Sequence, residues 1–457
     1  LGIEELSTLY SRILRRSFQY AVQTFAALRR CRLFEMRRPM LLLGTFLCAT
    51  HTAVLPAQTL QISPDRVLAD QPATITITGL RPHEQAVLRA ELVDGAGQPW
   101  ASQAEFVADD TGTVDTSKQP PVKGSYRVVS AMGLIWSMMP TAKDVHGYRS
   151  PHGAQVIQFK LVKNGKEVAN AELQQIFFPP EVHRINLNGQ LRGVLFLPDT
   201  PGPHPGVLVL GGSEGGVPAG NAVWLASHGY AALALAYFHV PGLPQQLEGI
   251  PLEYFGQAIL WMKQRPEIAT GGLAVMGGSR GGELALQLGS MYADLHAVVA
   301  YVPANVRFNS CCNHDQGAAW TWKGLPLAYE PPTSSTDNPT DPAAIAVELT
   351  NGPILMISGG DDGIWSSRSM ANAAMHRLQI AHFRYQFIHL SYPHAGHRAG
   401  TPWITPTWSG GARQPISGEA QNLGGTPEGN ALSTLDADPK VLGFLQQSLS
   451  AEPQKMK

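Results

Sequence analysis

The chain has 457 residues, 44% hydrophobic and 15% charged, with 34 Lys and Arg against 35 Asp and Glu for a formal net charge of −1. That is enough chain for two ordinary globular domains with cores of their own. The balanced charge gives no broad attraction to nucleic acid or anionic lipid, so nucleic acid is not an expected partner.

The first segments read as material outside the mature fold. From Met36 the sequence runs "MRRPMLLLGTFLCATHTAVLPAQ", two arginines, an apolar run and then small and turn-forming residues. A charged end followed by an apolar run too short to cross a bilayer has the order of a secretory leader, expected over 36–57 with the mature chain starting near Gln58. An amphipathic helix or membrane anchor is the competing reading. Residues 1–35 sit upstream of that leader as an extension outside the fold, with Met36 the expected start. A working leader implies a periplasmic or secreted protein without a stable membrane span, and a silent one a cytoplasmic protein. Of four cysteines, Cys31 and Cys48 fall in these segments. Cys311 and Cys312 are adjacent, as a local disulfide or two free thiols, and without flanking metal-ligand spacing they give no zinc site.

Residues 58–182 are expected to form an antiparallel β-sandwich. "ATITITGL" alternates apolar residues with threonine, "AVLRAELVDGAGQPW" passes through Asp94-Gly95, and two runs over 154–178 are joined at Asn164-Gly165. Beyond Pro179-Pro180 the rhythm changes, which places the boundary near 179–186. "HPGVLVLGG", "NAVWLASHGY", "AALALAYF", "EYFGQAILWMKQ", "LAVMGGS", "GGELALQLGSMY" and "HAVVAYV" alternate buried apolar runs with helical patterns. Such alternation predicts a parallel-type sheet flanked by helices over 183–450.

Within that sheet "LAVMGGSRGGELALQ" has a strand, a G-x-S-x-G turn and a helix with Leu284, Leu288 and Met291 on one side. A serine at such a junction is held on a sharp turn at the carboxyl edge of the sheet, with the helix N-terminus beside it. Serine is a poor nucleophile until a base takes its proton and a carboxylate orients the base. An acid after a later strand and then a histidine complete the order of an α/β-hydrolase. "PILMISGGDDGIW" supplies Asp362, with Asp361 as its neighbouring alternative, and "RYQFIHLSYPHAGH" supplies His397, with His394 as the alternative. For the oxyanion the expected donors are the backbone N–H of Arg280 and that of Gly212 or Ser213, in the loop of "GVLVLGGSEGG". That loop lacks the spacing of a phosphate-gripping motif.

The chain also resembles the acyl-CoA thioesterase and bile acid-CoA:amino acid N-acyltransferase family. The resemblance rests on "GLRP" at 79–82, "MGLIWSMMP" at 132–140, "ALAYF" at 234–238, "LEYFGQAI" at 252–259 and "GGSRGGELAL" at 277–286. It continues through "GGDDGIWSS" at 359–367, "YPHAGH" at 392–397 and "GGTPEGNA" at 424–431. It implies a β-sandwich followed by an α/β-hydrolase domain, and a nucleophile, acid and base at Ser279, Asp362 and His397. Bile acid conjugating members carry cysteine at the nucleophile position and thioesterases serine, so Ser279 implies hydrolysis over transfer to an amine. The region 307–351 departs from the family, as a rim to the substrate entrance or an ordered surface loop.

The expected activity is therefore hydrolysis of acyl thioesters through an acyl-serine, within fatty-acyl metabolism and with no cofactor or metal. An exported carboxylesterase is the alternative, ahead of an acyltransferase or a non-catalytic binding protein. Arg280, Lys323 and Arg398 are candidates to grip the phosphates of a CoA carrier. "MGLIWSMMP" is expected to pack between the two domains, with an acyl-pocket wall as the other reading.

Overall fold

The computed structural model describes residues 57–450 except 313–316, 333 and 337. The expected extension and leader, residues 1–57, lie outside the described residues but for Ala57.

The alternating segments fold as sheets with one apolar face. Thr59–Ser63, Thr74–Thr78 and Val114–Asp115 form a three-stranded antiparallel sheet, in which Leu60, Ile62, Ile75 and Ile77 point inward. A larger sheet runs Arg66–Leu68, Lys166–Ile176, Ala154–Lys163, Gln85–Val93, Pro99–Val107 and Lys123–Gly124, with Met139–Pro140 beside Pro99–Val107. Its strand Gln85–Val93 alternates exposed and buried residues along its whole length, as period-two patterning requires. One pairing, Arg66–Leu68 with Lys166–Ile176, is parallel. Asn164 at φ 49° and Gly165 at φ 75° make the two-residue hairpin turn that their sequence favours. Leu88, Phe106, Phe159 and Leu173 of this sheet share one apolar cluster with the inward residues of the first, which makes the pair a sandwich.

The second sheet has eight strands: β1 (His183–Asn188), β2 (Arg192–Leu197), β3 (His204–Leu210), β4 (Ala231–Ala236), β5 (Ile268–Gly278), β6 (Leu295–Tyr301), β7 (Ile354–Gly359) and β8 (Phe387–Tyr392). Their spatial order is β1-β2-β4-β3-β5-β6-β7-β8. Only β2 runs antiparallel to its neighbours; every other pairing is parallel. Five helices accompany the sheet: α1 (Ala219–Ser227), α2 (Glu253–Lys263), α3 (Arg280–Met291), α4 (Ser367–Ile380) and α5 (Pro427–Ser450). Strands covered on both faces lose the polar half of their alternation, and all six residues of β4 and of β7 are buried. This is the α/β-hydrolase arrangement. Among the described residues no helix is long and apolar enough to cross a membrane.

The sandwich and the large sheet share an apolar cluster, so the second sheet is held against the first part of the chain. The segment Met132–Met138 lies in that contact: Gly133–Trp136 is a buried helical turn, and the Trp136 carbonyl accepts the N–H of Thr407 at 3.1 Å and its hydroxyl at 3.0 Å. Ile404 N–H donates to the Ala69 carbonyl, and Gln175 Nε2 donates to the Ile404 carbonyl at 3.1 Å within buried surroundings. Packing between the two parts therefore accounts for "MGLIWSMMP".

Candidate active site

Parallel strands end at a common edge, so β3, β5, β7 and β8 deliver their following loops to one place. β5 closes at Gly278, and Ser279 turns at φ 58°, ψ −123° before α3 begins at Arg280. A non-glycine residue held there is strained, and the fold holds it by a bond from the Ser279 N–H to the Tyr301 carbonyl at 3.0 Å. The glycines on either side are steric necessities. A Cβ on Gly277 would lie 2.1 Å from the Gly281 carbonyl oxygen, and one on Gly281 would lie 2.4 Å from that of Gly211.

The loops after β7 and β8 meet this serine. Asp362 Oδ1 accepts the N–H groups of Ile364 at 3.0 Å and Trp365 at 3.3 Å, which fixes a carboxylate whose side chain is 1% exposed. His397 Nδ1 lies 2.9 Å from either oxygen of Asp362, and its Nε2 lies 2.8 Å from Ser279 Oγ. With the ring proton on Nδ1, His397 donates to Asp362 and accepts the serine hydroxyl. The Trp365 indole meets the imidazole edge to face at 4.7 Å, and its Nε1 donates to the Val302 carbonyl at 3.1 Å. Asp361 and His394 are elsewhere: their side chains are 54% and 80% exposed, and they lie 3.7 Å from one another.

The loop after β3 completes the cavity. Tyr237 donates to the Gly211 carbonyl at 2.6 Å and Gln414 Nε2 to the Ser213 carbonyl at 2.8 Å, anchoring the glycine-rich turn. Gly212 and Ser213 thus sit beside Ser279, but the Gly212 N–H is already engaged, donating to Glu214 Oε1 at 2.9 Å. Glu214 was not foreseen, although it is the one charged residue in "GGSEGG". It keeps solvent-accessible area because the cavity is open, yet atoms crowd around it. Desolvation raises its carboxyl above the usual glutamate range, against the pull of the Gly212 and Glu214 N–H groups and of His397.

The cavity holding Ser279 and His397 encloses about 270 Å³, with Glu214, Tyr301, Arg398 and Thr401 in its walls. Its lining comes from 210–221, 278–279, 301–302 and 397–402, not from 307–351. That region is instead tied to the body of the fold, with Arg307 donating to Gln287 Oε1 at 2.8 Å and to the Ala328 carbonyl at 3.0 Å. Cys311 and Cys312 within it are joined as a disulfide.

The three basic residues expected to face a carrier fall in different places. The Arg280 side chain is 3% exposed and lies 2.9 Å from Glu283 Oε2, so it cannot meet a phosphate, although its backbone N–H stays in the first turn of α3. Lys323 lies on an exposed turn at φ 52°. Only Arg398 lines the Ser279 cavity. Among the described residues no group of three or more His, Cys, Asp or Glu side chains is gathered in a way that could hold a metal ion.

Residues 70–189 match the model of the acyl-CoA thioester hydrolase/BAAT N-terminal region, and residues 250–451 match that of the BAAT/acyl-CoA thioester hydrolase C terminal. The chain is 30% identical over 416 residues to acyl-coenzyme A thioesterase 6 of Mus musculus, covering 87% of this chain and 98% of that one. It is 30% identical over 412 residues to acyl-coenzyme A thioesterase 1 of Homo sapiens, with 86% and 97% covered. To the mitochondrial acyl-coenzyme A thioesterase 2 of Rattus norvegicus it is 31% identical over 418 residues, with 86% and 90% covered.

Proposed function

We propose, for a chain that belongs to the acyl-CoA thioester hydrolase/BAAT family, that it is a serine hydrolase cleaving acyl thioesters through an acyl-enzyme on Ser279. The observation that carries this reading is the continuous hydrogen-bonded run from Ser279 Oγ through His397 to Asp362, at 2.8 and 2.9 Å. His397 takes the serine proton as Oγ attacks the acyl carbon, and Asp362 stabilises the imidazolium that forms. The tetrahedral oxyanion is received by the backbone N–H of Arg280 and by that of Gly212 or Ser213. Collapse expels the thiolate, which the imidazolium protonates where needed. Water, deprotonated by His397, then attacks the acyl-serine, releasing the carboxylic acid and restoring the hydroxyl.

Brief mixing with an acyl-CoA, acid quenching and mass analysis should find the acyl group on the peptide containing Ser279. Turnover of thioester by Ser279→Ala protein at the wild-type rate would overturn the reading. The order of residues 36–57 supports export as the protein's destination. Sequencing the amino terminus of protein from its native cells tests that, and cytoplasmic protein retaining 36–57 would refute it.

A further inference from the structure

Arg398 follows His397 directly and lines the cavity that contains Ser279. It also lines an adjoining cavity of about 220 Å³, walled by Tyr148 and Ser150 from the sandwich and by Thr401, Trp403 and Asn430. The two spaces share Arg398, Thr401 and Pro402, so Arg398 borders both of them. Among the described residues no carboxylate forms an ion pair with it, and no carbonyl or hydroxyl accepts from it. Other buried or half-buried arginines around the large sheet are paired: Arg280 with Glu283, Arg307 with Gln287 and backbone carbonyls, Arg377 with Glu348, Arg265 with Glu267 and Arg192 with the Pro241 carbonyl.

Arg398 is half-buried, and without a protein partner its five N–H donors remain available to a ligand that enters the cavity. Desolvation depresses the Arg398 pKa, with no compensating carboxylate nearby. A fork of donors in that condition suits an incoming planar anion, which it can bind bidentately.

We propose that Arg398 is a specificity-determining residue of the acyl site and receives a carboxylate carried by the acyl group, so that the preferred thioesters bear short, carboxylate-terminated acyl chains. This rests on the thioester hydrolase reading above and names its substrate class. The position of Arg398 selects the acyl end of the substrate over the carrier end. In a CoA thioester the phosphates lie a whole pantetheine arm from the reacting carbonyl, whereas Arg398 adjoins the histidine bonded to the nucleophile. The adjoining cavity gives the acyl chain somewhere to extend. Glu214 lines the Ser279 cavity too but makes no ion pair with Arg398.

The test compares acyl groups of equal length that differ only in the terminal carboxylate: glutaryl-CoA against pentanoyl-CoA, and adipoyl-CoA against hexanoyl-CoA. Wild-type kcat/KM should favour the carboxylate member by about tenfold or more, as expected for one charge-assisted bidentate contact. Arg398→Leu should abolish that preference, bringing the kcat/KM ratio within each pair close to one. Arg398→Lys should retain part of it. A wild-type preference for the neutral chains, or a ratio unmoved by Arg398→Leu, overturns the proposal. A second measurement separates it from the hydrolase reading: glutarate and pentanoate binding to Ser279→Ala protein by calorimetry. Glutarate should bind more tightly, and the added Arg398→Leu change should remove the difference. Failure of all thioester turnover would strike the hydrolase reading, whereas equal binding of the two acids would strike Arg398.

Discussion

The carboxylate of Glu214 accepts the backbone N–H of Gly212 at 2.9 Å, and a Cβ built on Gly212 would lie 2.8 Å from Glu214 Oε2 and 3.2 Å from Ser279 Cβ. An internal anion thus holds a donor that the reaction would use for its own oxyanion. Breaking a hydrogen bond to a charged group costs about 1.5–3 kcal/mol. Glu214→Ala should therefore raise kcat/KM for a small activated ester such as p-nitrophenyl acetate by about tenfold, since the N–H no longer has to be released. A fall of similar size would mean that Glu214 assists the reaction instead of competing with it.

The separation of the two Asp-His pairs gives a sharper kinetic expectation. Ser279→Ala and His397→Ala should each lower kcat by roughly 10⁴-fold or more, and Asp362→Asn by a comparable factor through loss of the correct tautomer. Asp361→Asn and His394→Ala should stay within about threefold of wild type, because those side chains are largely solvent-exposed and pair with one another rather than with Ser279 or His397. The measurement is steady-state hydrolysis of one acyl-CoA by five purified variants. A severe His394→Ala with a mild His397→Ala would reverse the assignment.

Ser279, Asp362 and His397 were legible in the sequence because each follows an apolar run, and parallel strands bring the ends of such runs to one edge whatever lies between them. The choice between Asp361 and Asp362, or His394 and His397, depended on which way a loop residue faces, and the structure brings together only Asp362 and His397. Glu214 was not legible as a cavity group, since its approach to Gly212 depends on how one glycine-rich turn closes. The Arg280 side chain was misplaced for a related reason. A charged residue after a nucleophile looks exposed, but Glu283 one turn later and the carbonyls of Phe308 and Asn309 take it inward.

That buried pair carries a stability prediction. Arg280 Nε lies 2.9 Å from Glu283 Oε2, Arg280 is 3% and Glu283 0% exposed, and Glu283 Oε1 also accepts the Trp320 indole N–H at 2.6 Å. The pair ties α3 to the segment around Trp320. Removing one partner leaves an uncompensated buried charge, so Arg280→Leu should destabilise the protein by about 3–5 kcal/mol. The double change Arg280→Leu with Glu283→Leu should recover part of that loss by removing the orphaned carboxylate. Urea unfolding of both variants decides this, and a near-neutral Arg280→Leu would refute it.

The last prediction concerns the junction between the sandwich and the large sheet, where Asp70, His228 and Asp438 converge. His228 Nε2 lies 3.1 Å from Asp70 Oδ2 and its Nδ1 lies 2.8 Å from the Trp224 carbonyl, while Trp224 Nε1 donates to the same Asp70 oxygen at 2.9 Å. Both partners of the ring accept, so satisfying both needs the doubly protonated imidazolium. Burial alone would lower the His228 pKa, and the Asp70 carboxylate with the Trp224 carbonyl outweighs it and raises it. Burial, reinforced by Asp70, pushes the Asp438 carboxyl well above its ordinary value. For both groups the folded state binds the proton more tightly than the unfolded chain does. The His228 contribution is fully present below pH 6.5 and is lost as pH rises through its raised pKa, and Asp438 has the same sign from its ordinary value upward. His228→Gln should cost about 1–3 kcal/mol at pH 5.5, because Asp70 loses a charged donor in a buried setting. That deficit should shrink by pH 9, as wild type loses its own advantage. Urea midpoints for wild type and His228→Gln at the two pH values test the sign, and a deficit that grows toward alkaline pH would show that the imidazolium is not what holds this junction.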